Sequence, residues 1–122
     1  MKKDWEIIRA ILLELESSPT ANAVLNANSL PPYDEQQVAY NIRLLNQAGY
    51  IVANTRDSSS GDGKIVIALA RSLTNSGHEL LDTIRSDRVW SKVQDKFKSS
   101  GLDMTFELVI LAGKKIMEVM IS

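Results

Sequence analysis

The sequence predicts a mainly helical α+β fold with one small β-hairpin and extra helices at its C-terminal end. Several segments carry apolar residues at helical spacing, whereas two short β-branched runs, 50–52 and 65–69, flank the turn 58–63. A length of 122 residues, with 44% hydrophobic and 24% charged residues, is typical of one folded domain. We therefore expect residues 1–122 to form a single domain.

The composition argues against several classes of protein. Because the chain has no cysteine, it has no disulfide, thiolate nucleophile or cysteine-based metal site, and a reducing, cytoplasmic location is expected. Unbroken apolar runs such as Leu108–Ala112 are too short to cross a membrane. We expect no membrane association, no export, no metal and no cofactor. The net charge of −1 counts against strong binding to nucleic acid.

The first predicted helix is capped by Asp4 and runs through Glu16, because its apolar residues recur at helical spacing. Ser17–Pro19 then ends it. The following segment, Thr20–Leu30, is dominated by Ala, Asn and Ser and offers few apolar anchors. Either a short helix or a short strand is compatible with this segment.

The second predicted helix begins at a capping box formed by Asp34 and Gln37 and runs to about Ala48. Gly49 ends it as a C-terminal glycine. The expected buried stripe consists of Val38, Ile42 and Leu45. The side chains expected nearer the solvent are Gln36, Gln37, Tyr40, Asn41, Arg43 and Gln47.

The β-hairpin is predicted from Tyr50–Val52 and Ile65–Leu69, with the Ser/Gly-rich turn between them. Thr74 or Asn75 is the expected cap of the next helix. After that helix the apolar register shifts near Ser86–Asp87, which predicts a break between two helices.

The last predicted helix runs from about Met104 to the C-terminus and is unusually apolar. At about 100° per residue, its apolar side chains spread over roughly 220° of the circumference. Leu111 lies among the charged residues of the remaining strip. Packing on one side normally buries a narrower arc. We therefore expect a homodimer through this helix, with contacts from Phe106, Ile110, Met117 and Met120.

The order of these elements resembles that of winged-helix DNA-binding proteins. The segment Leu44–Ile51 joins a helix to the hairpin, and Leu73–Leu81 joins the hairpin to the next helix. The resemblance implies that residues 34–48 form the recognition helix and that the hairpin is the wing. It also implies a winged-helix core over residues 1–86, which leaves residues 87–122 as a C-terminal helical extension, where the apolar arc of the last helix predicts the dimer contact.

The chain also resembles domain-of-unknown-function family 2513, a family of small phage and bacterial proteins. Asn41 stands where that family's pattern leads us to expect histidine. The resemblance sharpens the expected fold and carries no activity with it. The segments that carry it are Met1–Asp4, Ile8–Arg9, Val38–Tyr40, Leu44–Leu45, Ala48–Ile51, Leu73–Thr74, Gly77–Glu79, Leu81–Arg85 and Val89–Trp90.

A DNA-binding function would use the polar face of the second helix and the wing. Amide and guanidinium groups can read base edges, and cations on the wing can bind phosphates. The candidate residues are Gln37, Tyr40, Asn41 and Arg43 for bases, and Arg56 and Lys64 for phosphates. Two alternatives stay open, because this face is close to neutral: it is a solvated helix surface, or the protein is an adaptor that binds another protein.

The remaining polar residues give weaker signals. Arg88, Lys92 and Lys96 recur every four residues and either contact phosphates or form a solvated helix face. His78 is the only histidine, so a two-histidine metal set or an imidazole relay is not expected. The serines of the turn have no base near them in sequence. We therefore expect a protein that is not an enzyme.

Overall fold

A computed structural model describes residues 1–21 and 24–122. The chain divides into two compact units, Met1–Gly77 and His78–Ser122, and each is described by itself. Helices predominate in the described residues, together with one small three-stranded antiparallel sheet. The predicted α+β class is confirmed. The predicted boundary at residue 86 and the winged-helix assignment stay predictions.

The elements follow the predicted order, and the strands of the sheet lie in the order β1 (Leu25–Asn26), β3 (Ile65–Leu73), β2 (Ile51–Asp57). Helix α3 (Asn75–Ile84) begins in the first unit and continues into the second. None of the helices in the described ranges is long and apolar enough to span a membrane. The elements are α1 (Trp5–Ser17), β1 (Leu25–Asn26), a 3₁₀ turn (Ala27–Ser29), α2 (Glu35–Gln47), β2 (Ile51–Asp57), β3 (Ile65–Leu73), α3 (Asn75–Ile84), α4 (Asp87–Ser100) and α5 (Phe106–Ile121).

The ambiguous segment Thr20–Leu30 contains both kinds of structure in short form. Its strand β1 pairs with Leu69 and Ala70 of β3, and the 3₁₀ turn follows directly. Asn26 starts that turn by accepting a hydrogen bond from the backbone of Asn28. Asn22 and Ala23 lie outside the described residues. No full helix therefore precedes α2 between residues 24 and 34.

The predicted starts of α1, α2 and α4 agree with the structure, because each capping side chain accepts hydrogen bonds from amides in the first turn of its own helix. Asp4 accepts from the backbone amides of Glu6 and Ile7 at the start of α1. Asp34 accepts from Gln37 N at 3.1 Å at the start of α2. Ser86 accepts from Val89 N, which confirms the predicted break before α4.

The core of the first unit lies where α1 and α2 pack together, with each helix also contacting β3. The predicted stripe of α2 is confirmed, since its residues are fully buried. Burying such aliphatic side chains stabilises the fold by roughly 1.5–3 kcal/mol each. The fully buried aliphatic residues of this unit are Ile8, Ile11, Leu12, Val38, Ile42, Leu45 and Ile51.

The joint between β3 and α3 is held by Thr74. Its hydroxyl donates to Gly49 O at 2.6 Å and accepts from Gly77 N at 3.1 Å, and its amide donates to Tyr50 O at 3.1 Å. Of the two predicted caps, Thr74 is therefore the one that acts. A Cβ atom on Gly77 would lie 1.9 Å from Tyr50 O. Only glycine allows this close approach without a backbone shift.

In the second unit, α4 and α5 pack against each other. Helix α5 also approaches α3 closely at Gly113, where a Cβ atom would lie 2.7 Å from the Cβ atom of Thr83. The α4 side chains Val89, Trp90, Val93 and Phe97 are buried. The buried residues of α5 are Phe106, Val109, Gly113 and Ile116.

Candidate functional site

Asn41 of α2 is buried, and its side chain holds two parts of the first unit together. Its Oδ1 accepts from Asp4 N at 2.9 Å, and its Nδ2 donates to Gln37 O at 2.8 Å. The residue is 0% exposed. The prediction that Asn41 lies nearer the solvent is therefore wrong, whereas its role in reading DNA bases stays a prediction. Tertiary packing is the reason, because the side-chain amide of Asn41 supplies the acceptor for the backbone N–H of Asp4 at the start of α1.

The rest of the α2 surface is only partly accessible. Gln37 and Tyr40 are half-buried, so parts of both side chains can still reach a ligand. Gln36 is taken up by the hairpin, because its Nε2 donates to Ile65 O at 2.8 Å and its Oε1 accepts from Ile65 N at 3.0 Å. Few amide groups on this helix therefore remain for base recognition.

Arg43 is the predicted site residue that the structure connects directly to the hairpin. Its guanidinium forms an ion pair with the carboxylate of Asp57 at the end of β2. The Arg43 side chain is 24% exposed and that of Asp57 is 67% exposed. Because the pair is partly solvated, it is worth little in stability. The ion pair does neutralise the positive charge of Arg43, to which a phosphate or a guanine base would otherwise bind.

The hairpin carries cations that are open to solvent. Arg56 and Lys64 are exposed, as their predicted role requires. Arg71 is exposed as well, and its Nε donates to Asn54 Oδ1. Since Arg56 and Asn54 are two residues apart on one strand, their side chains lie on the same face of the sheet.

Arg71 was not among the predicted site residues, because the second strand was expected to end at Leu69. The strand continues to Leu73, so Arg71 belongs to the hairpin. No clear local signal was present, since Leu69–Leu73 contains leucine and alanine and none of the β-branched or aromatic residues that favour strands. We call Arg56, Lys64 and Arg71 the hairpin cations.

Asp62 lies at the hairpin tip and faces its own loop. Its carboxylate accepts from Lys64 N at 2.9 Å, and this hydrogen bond is the main reason that the pKa of Asp62 is lowered. Desolvation opposes this as the second-largest effect, whereas hydrogen bonds from Ser60 and Ser58 and the charge of Lys64 lower the pKa further. Asp62 is therefore charged at neutral pH, but its charge is partly compensated within the turn.

The charges of α2 and the hairpin balance. Residues 34–73 contain four acidic side chains, Asp34, Glu35, Asp57 and Asp62. The same segment contains four basic side chains, Arg43, Arg56, Lys64 and Arg71. This face therefore has mixed charge, although two of its acids already have partners in Arg43 and the tip turn.

Helix α4 presents its basic residues to solvent in the second unit. Arg88, Lys92 and Lys96 are exposed, on the side of the helix opposite its buried aromatic residues. Asp95 is exposed among them and reduces the local positive potential. The phosphate-binding role of this stripe stays a prediction.

Helix α5 exposes a different set of apolar residues from the one predicted. Phe106 is only 8% exposed, and its contact with a second copy stays a prediction. Ile110 and Met117 are half-buried, and Met120 is 39% exposed. The exposed large apolar residues of α5 and of the segment just before it are Leu102, Leu108, Leu111, Val119, Met120 and Ile121. Leu111 was assigned to the polar strip because the helical pattern alone does not show which arc is covered.

The structure offers no evident metal site in residues 1–21 and 24–122, since no group of three or more His, Asp or Glu side chains could hold an ion. His78 is exposed. The expectation that the protein is not an enzyme stays a prediction.

Comparison with known proteins gives two matches. The family described as "Hypothetical protein (DUF2513)" matches residues 2–103. A protein of Haemophilus influenzae named "Uncharacterized protein" is 38% identical over 122 residues, which cover the full length of both chains. No solved structure matches this chain.

Proposed function

The chain belongs to the DUF2513 family, as its motifs predicted, and from this premise we propose that it is a non-enzymatic, winged-helix-like protein that binds duplex DNA. In this proposal the hairpin supplies phosphate contacts, and α2 supplies few base contacts. Transcription regulation in the cytoplasm, in a phage or prophage setting, is the wider role that the sequence resemblance favours. A homodimer is part of the same proposal.

The observation that carries the proposal is the set of hairpin cations. All three side chains are exposed. The nearest acid along the strand, Asp57, is held by Arg43, and the acid of the tip, Asp62, accepts from its own turn. The cations are therefore available to phosphate oxygens, whereas the acids are partly compensated. Such contacts position a protein on DNA without reading its sequence.

The proposal predicts weak, salt-sensitive binding. If the three hairpin cations each neutralise one phosphate, log K falls against log salt with a slope of about −2.7. Affinity should then fall about 40-fold between about 50 and 200 mM salt. The expected dissociation constant is micromolar or weaker near physiological salt, in the range of about 10⁻⁴ to 10⁻⁶ M for non-specific binding.

The test is a fluorescence anisotropy titration of a labelled random-sequence duplex at several salt concentrations. Arg56→Ala, Lys64→Ala and Arg71→Ala should each reduce the slope by about 0.9. Lys98→Ala is the matched control, because Lys98 is exposed on α4 and lies off the stripe of basic residues. Loss of slope in Lys98→Ala as large as in the hairpin variants would contradict the proposal.

Base recognition should contribute little to this binding. Asn41 is buried, and Arg43 is paired with Asp57. Gln37 and Tyr40 are the half-buried candidates that remain on α2. We expect the affinities for a random-sequence duplex and for a duplex of defined sequence to differ by less than about tenfold, since one good bidentate base contact is worth about 1–3 kcal/mol. A much larger preference would mean that α2 rearranges on DNA.

A second candidate function is a protein-interaction adaptor. The balanced charge of residues 34–73 favours it, because a dedicated nucleic-acid surface has a basic surplus. Absence of duplex binding at low salt would reject the DNA proposal and support the adaptor. If Arg88→Ala, Lys92→Ala and Lys96→Ala remove the salt dependence and the hairpin variants do not, the phosphate contacts lie on α4.

A further inference from the structure

The sheet of the first unit has two faces, and the helices α1 and α2 pack on one of them. Ala68 and Ala70 of β3 lie on the covered side, where they are 5% and 0% exposed. Because side chains alternate along a strand, Ile67, Leu69 and Arg71 lie on the opposite side. We call that opposite side the outer face of the sheet.

Strand β3 carries aliphatic side chains along the outer face. Val66 is the extra residue of a β-bulge opposite Arg56, so it faces outward together with Ile67. Val66 is 55% exposed, and Ile67 and Leu69 are half-buried. We call Val66, Ile67 and Leu69 the aliphatic row. Exposed apolar surface that is bordered by polar groups is typical of interaction sites.

Two arginines border the aliphatic row. Strand pairing places Arg56 of β2 beside Ile67, whereas Arg71 follows Leu69 at the other end of the row. Both arginines are exposed. The Nε of Arg71 donates to Asn54 Oδ1, which helps to fix the plane of its guanidinium group. The outer face therefore presents positive charge on two sides of an aliphatic centre.

The acidic side chains near the hairpin lie off the outer face. Asp57 pairs with Arg43 of α2 on the covered side of the sheet. Asp62 accepts a hydrogen bond within its own tip turn. Glu35 comes closest, but it belongs to α2 and lines a cavity with Ala39 at the edge of β3. An anionic partner therefore meets the two arginines without a carboxylate between them.

The chemistry of the outer face favours one kind of occupant. None of the residues of β2 and β3 is aromatic, so unpaired bases would find no side chain to stack on. Phosphate contacts require cations but make no use of an aliphatic row. A protein segment with carboxylates beside aliphatic side chains matches both features, because arginine binds carboxylates in a bidentate manner and is enriched in protein interfaces.

The occupant is expected to lie across the face rather than to add a strand to the sheet. Ala53 N of the edge strand β2 donates to Asn46 Oδ1 at 3.0 Å. On β3, the side chain of Gln36 binds both backbone groups of Ile65. A strand added at either place would have to displace these side chains, whereas the outer face needs no such rearrangement.

From these observations we propose that the outer face binds an acidic segment of a partner protein. Its carboxylates bind Arg56 and Arg71, and its aliphatic side chains pack on the aliphatic row. This binding goes beyond the proposed function, because it does not require DNA. Both arginines are also hairpin cations, so the bound segment would compete with DNA phosphates, and this consequence alone rests on the proposed DNA binding.

The test is a fluorescence anisotropy titration of the full-length protein with a labelled synthetic peptide of about twelve residues that repeats Glu-Glu-Leu-Leu. An extended chain of this pattern presents both residue types on each side. One control peptide has lysine in place of every glutamate, and the other has serine in place of every leucine. We expect both control peptides to bind at least about tenfold more weakly than the Glu/Leu peptide.

Single substitutions locate the binding. Arg71→Ala and Val66→Ser should each raise the dissociation constant of the Glu/Leu peptide by about three- to tenfold. Leu111→Ser is the matched control, since Leu111 is 50% exposed on α5 in the second unit, and it should leave the dissociation constant unchanged. Circular dichroism verifies that all three variants are folded.

Several outcomes would overturn the inference. Among them are no binding of the Glu/Leu peptide at low salt, equal binding of the Glu/Ser peptide, and equal losses in Leu111→Ser and Val66→Ser. Vesicles of anionic lipid that bind more tightly than the peptide, and lose binding in Arg71→Ala and Val66→Ser, would assign the face to a membrane surface instead. DNA titration separates the two proposals, because Val66→Ser should leave its salt slope unchanged. Peptide binding without duplex binding rejects only the DNA proposal.

Discussion

Replacing Gly77 with alanine tests the close approach between the start of α3 and the backbone of Tyr50, which lies between α2 and β2. The added Cβ atom would lie 1.9 Å from Tyr50 O, which is a backbone atom and cannot rotate away. Tyr50 O also accepts the amide of Thr74, so moving it weakens that hydrogen bond. The substitution therefore strains the joint through two connected contacts.

The sizes of the opposing free-energy terms determine whether Gly77→Ala stabilises or destabilises the fold. Overpacking costs about 1–3 kcal/mol, and loss of one hydrogen bond costs about 0.5–1.5 kcal/mol. The higher helix propensity of alanine stabilises the folded state by at most about 1 kcal/mol relative to glycine. We therefore expect Gly77→Ala to reduce the free energy of unfolding by about 2–3 kcal/mol, since the obstructing atom belongs to the backbone.

Urea unfolding followed by circular dichroism measures this change, and a thermal scan should show a decrease in Tm of about 10 °C. Ser76→Ala is the matched control, because Ser76 is exposed in the same turn of α3. It should lie within about 0.5 kcal/mol of the parent. A Gly77→Ala variant as stable as the parent would refute the reasoning, because the clash would then be absent in solution.

Three further predictions concern single side chains. Asn41→Ala should lower the free energy of unfolding by about 1–3 kcal/mol, because Asp4 N loses its acceptor; urea unfolding measures the loss. Gly113→Ala should destabilise by about 1–3 kcal/mol, because its Cβ atom would meet Thr83 at 2.7 Å; a thermal scan detects this. The Asp62 carboxyl should titrate below 3.8 by NMR. Because its folded pKa is lowered, its small stabilising contribution is present above that value and is lost as pH falls through the folded pKa.

Each of these predictions has a control. For Asn41, Gln47→Ala on the exposed surface of α2 should be nearly neutral. For Gly113, Lys115→Ala in the same helix should also be nearly neutral, because Lys115 is exposed. For Asp62, Lys64→Pro removes the amide that donates to the carboxylate. A normal titration in the parent, or an unchanged one in that variant, would contradict the assigned cause.

Local patterns in the sequence predicted most of the fold. Asp4, Asp34 and Ser86 start helices because a capping side chain bonds to amides two or three residues further on. The buried stripe of α2 follows from helical spacing, and the hairpin follows from two β-branched runs around a Ser/Gly turn. These signals involve neighbours in the chain, so the sequence contains them.

The candidate site depended on partners that are distant in the sequence. Asn41 looks like an exposed amide until Asp4, 37 residues away, is placed beside it. Arg43 looks like a free cation until the hairpin brings Asp57 to it. Arg71 was missed because its strand is longer than the local pattern indicates. Spacing alone cannot supply these contacts, because they form only when separate elements pack.

The sequence by itself thus determined the helices, their caps, the hairpin and the excess of apolar residues in α5. The tertiary structure alone decided which of those apolar residues are covered, so that Phe106 is buried and Leu111 is exposed. The physical reason is that helical periodicity describes the angle between side chains, whereas burial depends on where neighbouring helices lie. Helix α4 and the Thr83 turn of α3 occupy one side of α5, and they leave apolar residues such as Leu111 and Val119 uncovered.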